Sequence, residues 1–171
     1  MDKPKFILEQ KFVGDTYDPG TGSPTHGTSM ASIILRGLSN KDLGVENSTA
    51  RILPVDIYGL NPTTTSFDVA QGITLAVEGG AKIVNLSLGS AAPSALVRRV
   101  IQAHHNNGVL FIGGAGNAPV TSNEYPAAYP EVMAVTAIRP DGELTDYANR
   151  GNFVDVAERG TQPVRFNNRT Y

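Results

Sequence analysis

The stretch VLFIGGAGN, residues 109–117, is an apolar run that ends in glycines and an asparagine. Such a run is typical of a strand buried inside a parallel sheet. The preceding segment SALVRRVIQAHHNNG, residues 94–108, has the period of a helix, with Asn107 and Gly108 as its end. The helical residues expected to face inward are Leu96, Val97, Val100, Ile101 and His104. The stretch is therefore predicted to be a strand that follows a helix.

The same alternation extends in both directions along the chain. ARILPVDIYG (residues 50–59) and AKIVNLSLG (residues 81–89) are predicted strands, joined by a predicted helix in SFDVAQGITLAVEGG (residues 66–80). EVMAVTAIR (residues 131–139) and NFVDVA (residues 152–157) are further predicted strands, separated by a loop. The chain therefore contains a repeated strand–helix–strand pattern.

The helix in residues 66–80 has recognisable start and stop signals. Ser66 is expected to cap it, and Gly79 and Gly80 are expected to end it. Its apolar residues at helical spacing are Phe67, Val69, Ala70, Ile73, Ala76 and Val77.

Apolar strands joined by helices predict an α/β fold, a parallel sheet with helices on both faces, because right-handed crossovers place the helices there. A length of 171 residues suits a single domain, which we assign to residues 1–171. In open α/β sheets, ligands bind outside the carboxyl ends of the strands. The turns at residues 87–90 and 113–117 and the loop that carries His26 are therefore the candidate sites.

Composition excludes several classes of function. The formal net charge is −2 without basic or acidic blocks, which predicts no nucleic-acid partner and no attraction to an anionic membrane surface. The absence of cysteine excludes disulfides, thiolate metal sites and cysteine nucleophiles. We expect no membrane span and no signal peptide, because apolar runs are short and MDKPKFILEQKF is charged on both sides of its apolar core. The cellular compartment stays open.

The segment SPTHGTSMAS, residues 23–32, places His26 three residues before Ser29 at the start of a helical pattern. An isolated histidine in this setting is more often a capping or surface residue than a catalytic base. The rest of the chain decides between these interpretations.

Six blocks, in this order, resemble the subtilisin-like serine proteases, the subtilases. They are HGTSMASII (26–34), ARILPVDIYG (50–59), GITLAVEGGAKIVNLSLGS (72–90), GVLFIGGAGN (108–117), YPAAYPEVMAVTAI (125–138) and DYANRGNFVDVAERGT (146–161). One block would be weak evidence, but six in the family's order are specific. The resemblance implies a subtilisin-like fold and peptide-bond hydrolysis by a Ser-His-Asp triad.

The resemblance also implies roles for individual residues. His26 matches the general base, and Asn117 matches the side-chain donor that stabilises the tetrahedral oxyanion. The residues that match the strand that pairs with the substrate backbone are Ser87, Leu88 and Gly89. The residues that would line the primary specificity pocket are Gly113, Gly114, Ala115 and Gly116. Simple tight packing is the alternative explanation for these small residues.

Two parts of the triad have no match. The family carries its aspartate on a strand well upstream of the histidine, and the residues before His26 contain no such strand. Asp15 and Asp18 lie in the loop just before His26 and are poor candidates for the orienting carboxylate. GTSMAS, residues 27–32, resembles the serine block by letter, but it lacks the proline and directly follows the histidine. We therefore interpret Ser29 as a packing residue and expect the serine block beyond the end of this sequence.

Three hypotheses follow. The first is a fragment of a subtilisin-like serine endopeptidase, an incomplete fold that is inactive as this isolated chain. The second is a non-catalytic peptide-binding or regulatory pseudo-protease module. The third is a chain that complements a partner carrying the missing segments. The expected partners are a polypeptide substrate or that complementary segment.

No metal or cofactor is predicted. His104 and His105 are adjacent and cannot face one ion from the same helix, and no carboxylate cluster has calcium-loop spacing. Members of the family often bind structural calcium and are often secreted, but no calcium ligands can be assigned here. An incomplete fold would leave an apolar sheet face and an unpaired edge, which predicts an oligomer, poor solubility or a bound partner.

Overall fold

The computed structural model describes residues 7–13, 25–38, 48–59, 61–166 and 169–170. In chain order the elements are β1 (Lys11–Phe12), α1 (His26–Leu38), β2 (Val55–Asp56), α2 (Ser66–Glu78), β3 (Ile83–Leu86), α3 (Ala95–His105), β4 (Leu110–Gly114), β5 (Val132–Ile138), β6 (Val156–Arg159), β7 (Arg165–Phe166) and β8 (Arg169–Thr170). Their contacts form two units, residues 1–62 with 162–171, and residues 63–161.

The larger unit is built on four parallel strands in the order β3-β4-β5-β6. Helices α2 and α3 pack against each other, and α3 packs against β4. Ile101 of α3 and Phe111 of β4 are completely buried in this core, each with 0% of its surface exposed. The predicted α/β class with a parallel sheet is confirmed.

Helix α2 is capped one residue earlier than predicted. The hydroxyl of Thr65, not that of Ser66, accepts the backbone N–H of Asp68 at 3.1 Å, and the Asp68 carboxylate accepts the Thr65 N–H at 3.1 Å. A hydrogen bond from the Thr65 side chain is the main reason why the pKa of Asp68 lies below its ordinary value of 3.8. The predicted end of the helix is confirmed, because Gly79 is the C-cap and Gly80 has a φ of +93°.

Both helices of this unit bury a narrower stripe than predicted. Val97 and Ile101 of α3 are buried, but Leu96 is 44% exposed. In α2, Phe67 is 65% exposed although Val69 is buried. Successive helical residues are rotated by about 100°, so Phe67 and Leu96 lie off the buried stripes of their helices. The prediction that Leu96 faces inward and the placement of Phe67 on the apolar stripe of its helix are wrong.

The predicted strands at residues 81–89, 109–117 and 131–139 are confirmed with shorter bounds. A fourth strand, predicted at residues 152–157, is displaced toward the C-terminus, since β6 begins at Val156. Asp155 precedes it and is held against β5, where its N–H donates to the Ala134 carbonyl at 3.0 Å and its carboxylate accepts the Ala134 N–H at 2.8 Å.

One face of the four-stranded sheet is buried and the other is exposed. Side chains alternate along β3, where Val84 and Leu86 are buried and Ile83 is 60% exposed. The exposed residues continue across the neighbouring strands, and the open face, as we call it, contains Ile83, Leu110, Met133 and Val156. Strands of parallel sheets are normally buried on both sides, so this apolar surface is unusual for a folded chain.

The smaller unit contains a strand pair that the sequence did not predict. β1 lies parallel to β2 with Lys11 opposite Val55, and Ile7 forms a bridge with Ile52. The strand predicted at residues 50–59 is thereby reduced to β2 and this bridge. β7 and β8 form an antiparallel hairpin in the same unit. Within the described ranges, no helix has the length and apolarity needed to cross a membrane.

Candidate functional site

The carboxyl ends of β3 and β4 lie side by side. Leu86 at the end of β3 is in register with Gly113 of β4, so residues 87–89 and residues 114–117 emerge at the same edge of the sheet. We call these two segments the carboxyl edge. β3 is the outer strand of the four-stranded sheet, so residues 87–89 follow a strand that is paired on one side within that sheet.

The structure assigns different environments to the predicted residues of this edge. Ser87 and Leu88 are half-buried and Gly89 is exposed. The Ser87 hydroxyl accepts a hydrogen bond from the Asn85 side chain at 2.8 Å. Asn117 is exposed, and no hydrogen bond joins its side-chain amide to another described residue. The segment that follows β3 is thus accessible at its end, and the amide of Asn117 is available to a ligand.

The four small residues predicted to line a pocket do not form one uniform surface. Gly113 is buried, and an added Cβ there would lie 3.0 Å from Val132 and 3.1 Å from Ala127. Ala115 is 1% exposed. Gly114 is exposed with open space beside it, and Gly116 is half-buried. For Gly113 and Ala115 the contacts are those of tight packing, and an added Cβ at Gly116 would collide with the Asn149 amide. Of the four residues, Gly114 is the one with open space beside it.

Asn149 holds the loop that presents Asn117. It is 1% exposed, its amide donates to the Ala115 carbonyl at 2.9 Å, and its side-chain oxygen accepts the Ala118 N–H at 2.8 Å. Its backbone N–H donates to the Gly116 carbonyl at 3.0 Å. Asn149 therefore bonds to the chain on both sides of Asn117. Sequence reasoning did not identify this residue, because side-chain contacts across 34 positions to Ala115 and 31 positions to Ala118 leave no local pattern.

The loop that contains Tyr125 is hydrogen-bonded to the chain beside the carboxyl edge. The N–H and carbonyl of Tyr125 pair with the carbonyl and N–H of Ser90, both at 2.8 Å. Tyr125 is followed by a cis peptide bond to Pro126. The ring of Tyr125 lies 4.9 Å from that of Tyr129, whose hydroxyl accepts the N–H of Ser94 at 2.7 Å. This loop is therefore fixed to the start of α3 as well as to residue 90.

Glu124 directly precedes Tyr125 and lies beside both segments of the carboxyl edge. A Cβ added at Gly89 would meet a Glu124 carboxylate oxygen at 2.5 Å, and one added at Gly116 would meet the Glu124 Cγ at 3.4 Å. The side chain therefore passes between the two glycines. Nothing in the sequence motifs marked Glu124, because its importance depends on which glycines it contacts.

His26 belongs to the smaller unit and is the first residue of α1. Thr25 caps this helix, since its hydroxyl accepts the Thr28 N–H at 3.2 Å and its carbonyl accepts the Ser29 N–H at 2.9 Å. His26 is exposed and Ser29 is half-buried. The predicted helix start is confirmed.

Asp15 and Asp18 lie outside the described residues. Among the residues that the structure describes, no group of three histidine or carboxylate side chains could hold a metal ion.

Comparison with known proteins gives a consistent result. The sequence profile of the subtilase family matches residues 3–171. The thermophilic serine proteinase of Bacillus sp. (strain AK1) is 32% identical over 162 residues, which are 94% of this chain and 40% of that protein. Thermitase of Thermoactinomyces vulgaris is 32% identical over 152 residues, 88% of this chain and 54% of that protein. The chain thus spans about half the length of these curated relatives.

Solved structures agree with this. The structure of the prenylagaramide maturation protease PagA is 25% identical with a TM-score of 0.73, and the match covers 97% of this chain and 67% of that one. The protease domain of PatA, in an S218A mutant, is 28% identical with a TM-score of 0.65, covering 85% of this chain and 56% of that one. The likeness extends over most of both units.

Proposed function

Because this chain belongs to the subtilase family of serine peptidases, we propose that it supplies the general base and the oxyanion donor of a subtilisin-like endopeptidase. The base is His26 and the donor is Asn117. The substrate is a polypeptide whose backbone pairs with Ser87, Leu88 and Gly89. The 171 residues alone are inactive, because they match neither the nucleophile block nor the aspartate block of the triad.

The strongest support is the presentation of Asn117. It follows β4 at the carboxyl edge, it is exposed, and Asn149 bonds to the residues on both sides of it. A donor aimed at a developing negative charge is effective when it is held in place before the reaction, because no reorganisation is then needed. The buried Asn149 provides that rigidity, and the Asn117 amide has no described partner from which it must be released.

The chemistry then follows from the residue types. His26 takes the proton of the attacking hydroxyl and returns it to the leaving amine. Asn117 donates to the carbonyl oxygen as it gains charge in the tetrahedral intermediate. Residues 87–89 supply main-chain hydrogen bonds to an extended peptide, which gives affinity that depends little on its sequence.

Ser29 is not the nucleophile in this proposal. It lies one turn after His26 on the same helix, at i+3, where the two Cβ atoms are about 5–6 Å apart and a scissile bond has no cleft between them. The nucleophile is contributed by another polypeptide segment of the family fold. The open face of the larger unit is an apolar surface that such a segment could cover.

A fluorophosphonate probe tests the assignment of Ser29. We expect the isolated chain to remain unlabelled and to cleave no peptide, since removing triad members leaves only the residual effect of binding and oxyanion stabilisation. Stoichiometric labelling located at Ser29 by mass spectrometry would show that the nucleophile lies within α1. A full-length active subtilase is the positive control for the probe.

Amide hydrogen exchange tests the binding site independently of turnover. A saturating extended peptide should slow exchange at residues 87–89, because their backbone groups become hydrogen-bonded. Protection elsewhere without protection at these residues would contradict the proposed substrate strand.

A non-catalytic peptide-binding module is the second candidate. It is favoured by one observation, that the accessible strand end and the loop of Asn117 lie in the larger unit whereas His26 lies in the smaller one. Addition of a segment that carries the missing aspartate and serine blocks distinguishes the two. Turnover in the mixture supports the protease, and peptide binding without turnover supports the module.

A further inference from the structure

Glu124 contacts both sides of the carboxyl edge. Its carboxylate lies against Gly89, where an added Cβ would meet Oε1 at 2.5 Å and the carboxyl carbon at 3.1 Å. Its Cγ approaches Gly116 on the other side, at 3.4 Å from the position of an added Cβ. Both glycines lack side chains, and the Glu124 side chain lies beside both of them.

The backbone around Glu124 is held on both sides. Tyr125 makes two hydrogen bonds of 2.8 Å with Ser90, and the Glu124 carbonyl accepts the Ala128 N–H at 2.7 Å. These bonds fix the Cα of Glu124 beside the segment that contains Gly89. The fold therefore holds the backbone that carries the Glu124 side chain beside residues 87–89.

Among the residues that the structure describes, no cation pairs with the Glu124 carboxylate. The ion pairs found among the described residues join Arg98 to Glu131 and Arg139 to Asp141 and Asp146, and none of them includes Glu124. Within the same part of the chain no hydrogen bond to the Glu124 carboxylate is present either. Glu124 is nevertheless half-buried. A partly desolvated carboxylate without a partner attracts a positive charge more strongly than an exposed one does.

We propose that Glu124 is the acidic end of the primary specificity pocket and selects peptides with arginine or lysine on the acyl side of the scissile bond. This inference rests on the proposed function, which takes residues 87–89 as the substrate strand. A peptide paired with that strand would direct one side chain along Gly89 toward the Glu124 carboxylate. The cationic end of that side chain would meet the Glu124 carboxylate, and arginine can form two parallel hydrogen bonds with it.

The residues around Glu124 support a cationic ligand over the alternatives. Gly89 and Gly116 add no side chain that could donate to a negatively charged or neutral polar group. A metal ion would require further ligands, and the described residues contain no group of three that could hold one.

The test compares labelled peptide amides that are identical except for one side chain. Arginine is paired with citrulline, which has nearly the same shape without the charge, and lysine is paired with norleucine. Binding to the full chain is measured by fluorescence anisotropy. We expect the charged peptide of each pair to bind about tenfold more tightly, the ratio typical of a charge-assisted hydrogen bond.

Variants test whether the preference for a charged peptide depends on Glu124 or on the net charge of the chain. Glu124→Gln should abolish the preference for arginine over citrulline while leaving the affinity for citrulline unchanged. Glu124→Asp retains the charge and should retain part of the preference. Glu143→Gln removes an equal charge from an exposed position in the turn after β5, and it should leave the preference intact. Circular dichroism of each variant checks that the fold is kept.

The outcomes distinguish this inference from the proposed function. Binding of all peptides without a preference for the charged member, or a preference that survives Glu124→Gln, overturns the role of Glu124 and leaves the substrate strand in place. A preference for small side chains would mean that Glu124 fills the pocket, and it would also overturn the inference. Failure of every peptide to bind would overturn both.

Discussion

Replacement of Asn149 by alanine should destabilise the larger unit by about 2–4 kcal/mol. The change removes the hydrogen bonds to the Ala115 carbonyl at 2.9 Å and to the Ala118 N–H at 2.8 Å. Ala115 is 1% exposed, so water cannot replace the first bond, and a buried unsatisfied carbonyl costs about 1–3 kcal/mol. Ala118 is exposed, so its N–H can bind water and the second loss is limited to about 1 kcal/mol.

Urea denaturation followed by circular dichroism measures this change in the free energy of unfolding. Asn107→Ala is the matched control, because Asn107 donates one side-chain hydrogen bond of 2.8 Å to Ala103 at an exposed position. We expect the control to cost less than about 1 kcal/mol. The amide of residue 118 should also exchange faster in Asn149→Ala. Equal destabilisation by the two variants would refute the argument that Asn149 organises the Asn117 loop.

Three further predictions concern the core, an acid-sensitive cap and the open face. Ile101→Ala should lower the free energy of unfolding by about 2–5 kcal/mol, because Ile101 is completely buried. Leu96→Ala on the same helix should change it by no more than about 0.5 kcal/mol. Denaturation curves that rank the two variants in the other order would contradict this packing. Thr65→Ala should raise the pKa of Asp68 toward 3.8, as measured by NMR titration of its carboxyl group. Because the folded pKa is depressed, the stability from this cap is complete above pH 3.8 and is lost as the pH falls through the folded pKa, so the variant should lose less stability in acid. Met133→Lys on the open face should lower the weight-average mass measured by analytical ultracentrifugation. Ala103→Lys, which adds the same charge on the exposed side of α3, should leave that mass unchanged. Equal masses for the two variants and the parent would exclude self-association through the open face.

The elements that sequence analysis located correctly are those with long local patterns. The strands after residues 81, 109 and 131 are apolar runs, and helices α2 and α3 have regular apolar spacing, so the positions of these elements follow from burial alone. The placement of candidate residues at strand ends followed from the same runs, since the carboxyl ends of adjacent parallel strands meet at one edge.

The errors have specific physical causes. Ser66 and Thr65 are both common capping residues, and the position of Asp68 three residues after Thr65 completes the capping box in favour of Thr65. β1 is two residues long and lies in a mixed polar segment, so its pairing with β2 leaves no periodic signal. Phe67 and Leu96 are apolar, but their angular position on the helix decides their exposure.

Two residues of the site could not have been found from the sequence. Asn149 acts through hydrogen bonds to residues that are distant in the chain, and an asparagine in a loop is common. Glu124 gains its importance from contacts with two glycines that the fold brings to it. Both depend on tertiary packing, which periodicity and motif spacing do not encode.

The central claim is that His26 and Asn117 act on the same peptide bond, and a distance measurement between them tests it most directly. The chain has no cysteine, so two introduced cysteines can be spin-labelled without background. We expect His26→Cys with Asn117→Cys to give dipolar broadening of the continuous-wave electron paramagnetic resonance spectrum. His26→Cys with His105→Cys should give no broadening. His105 is the last residue of α3, just before β4 begins, whereas Asn117 follows the other end of β4. Broadening in the first pair alone is the predicted result, and its absence there would contradict a shared catalytic site.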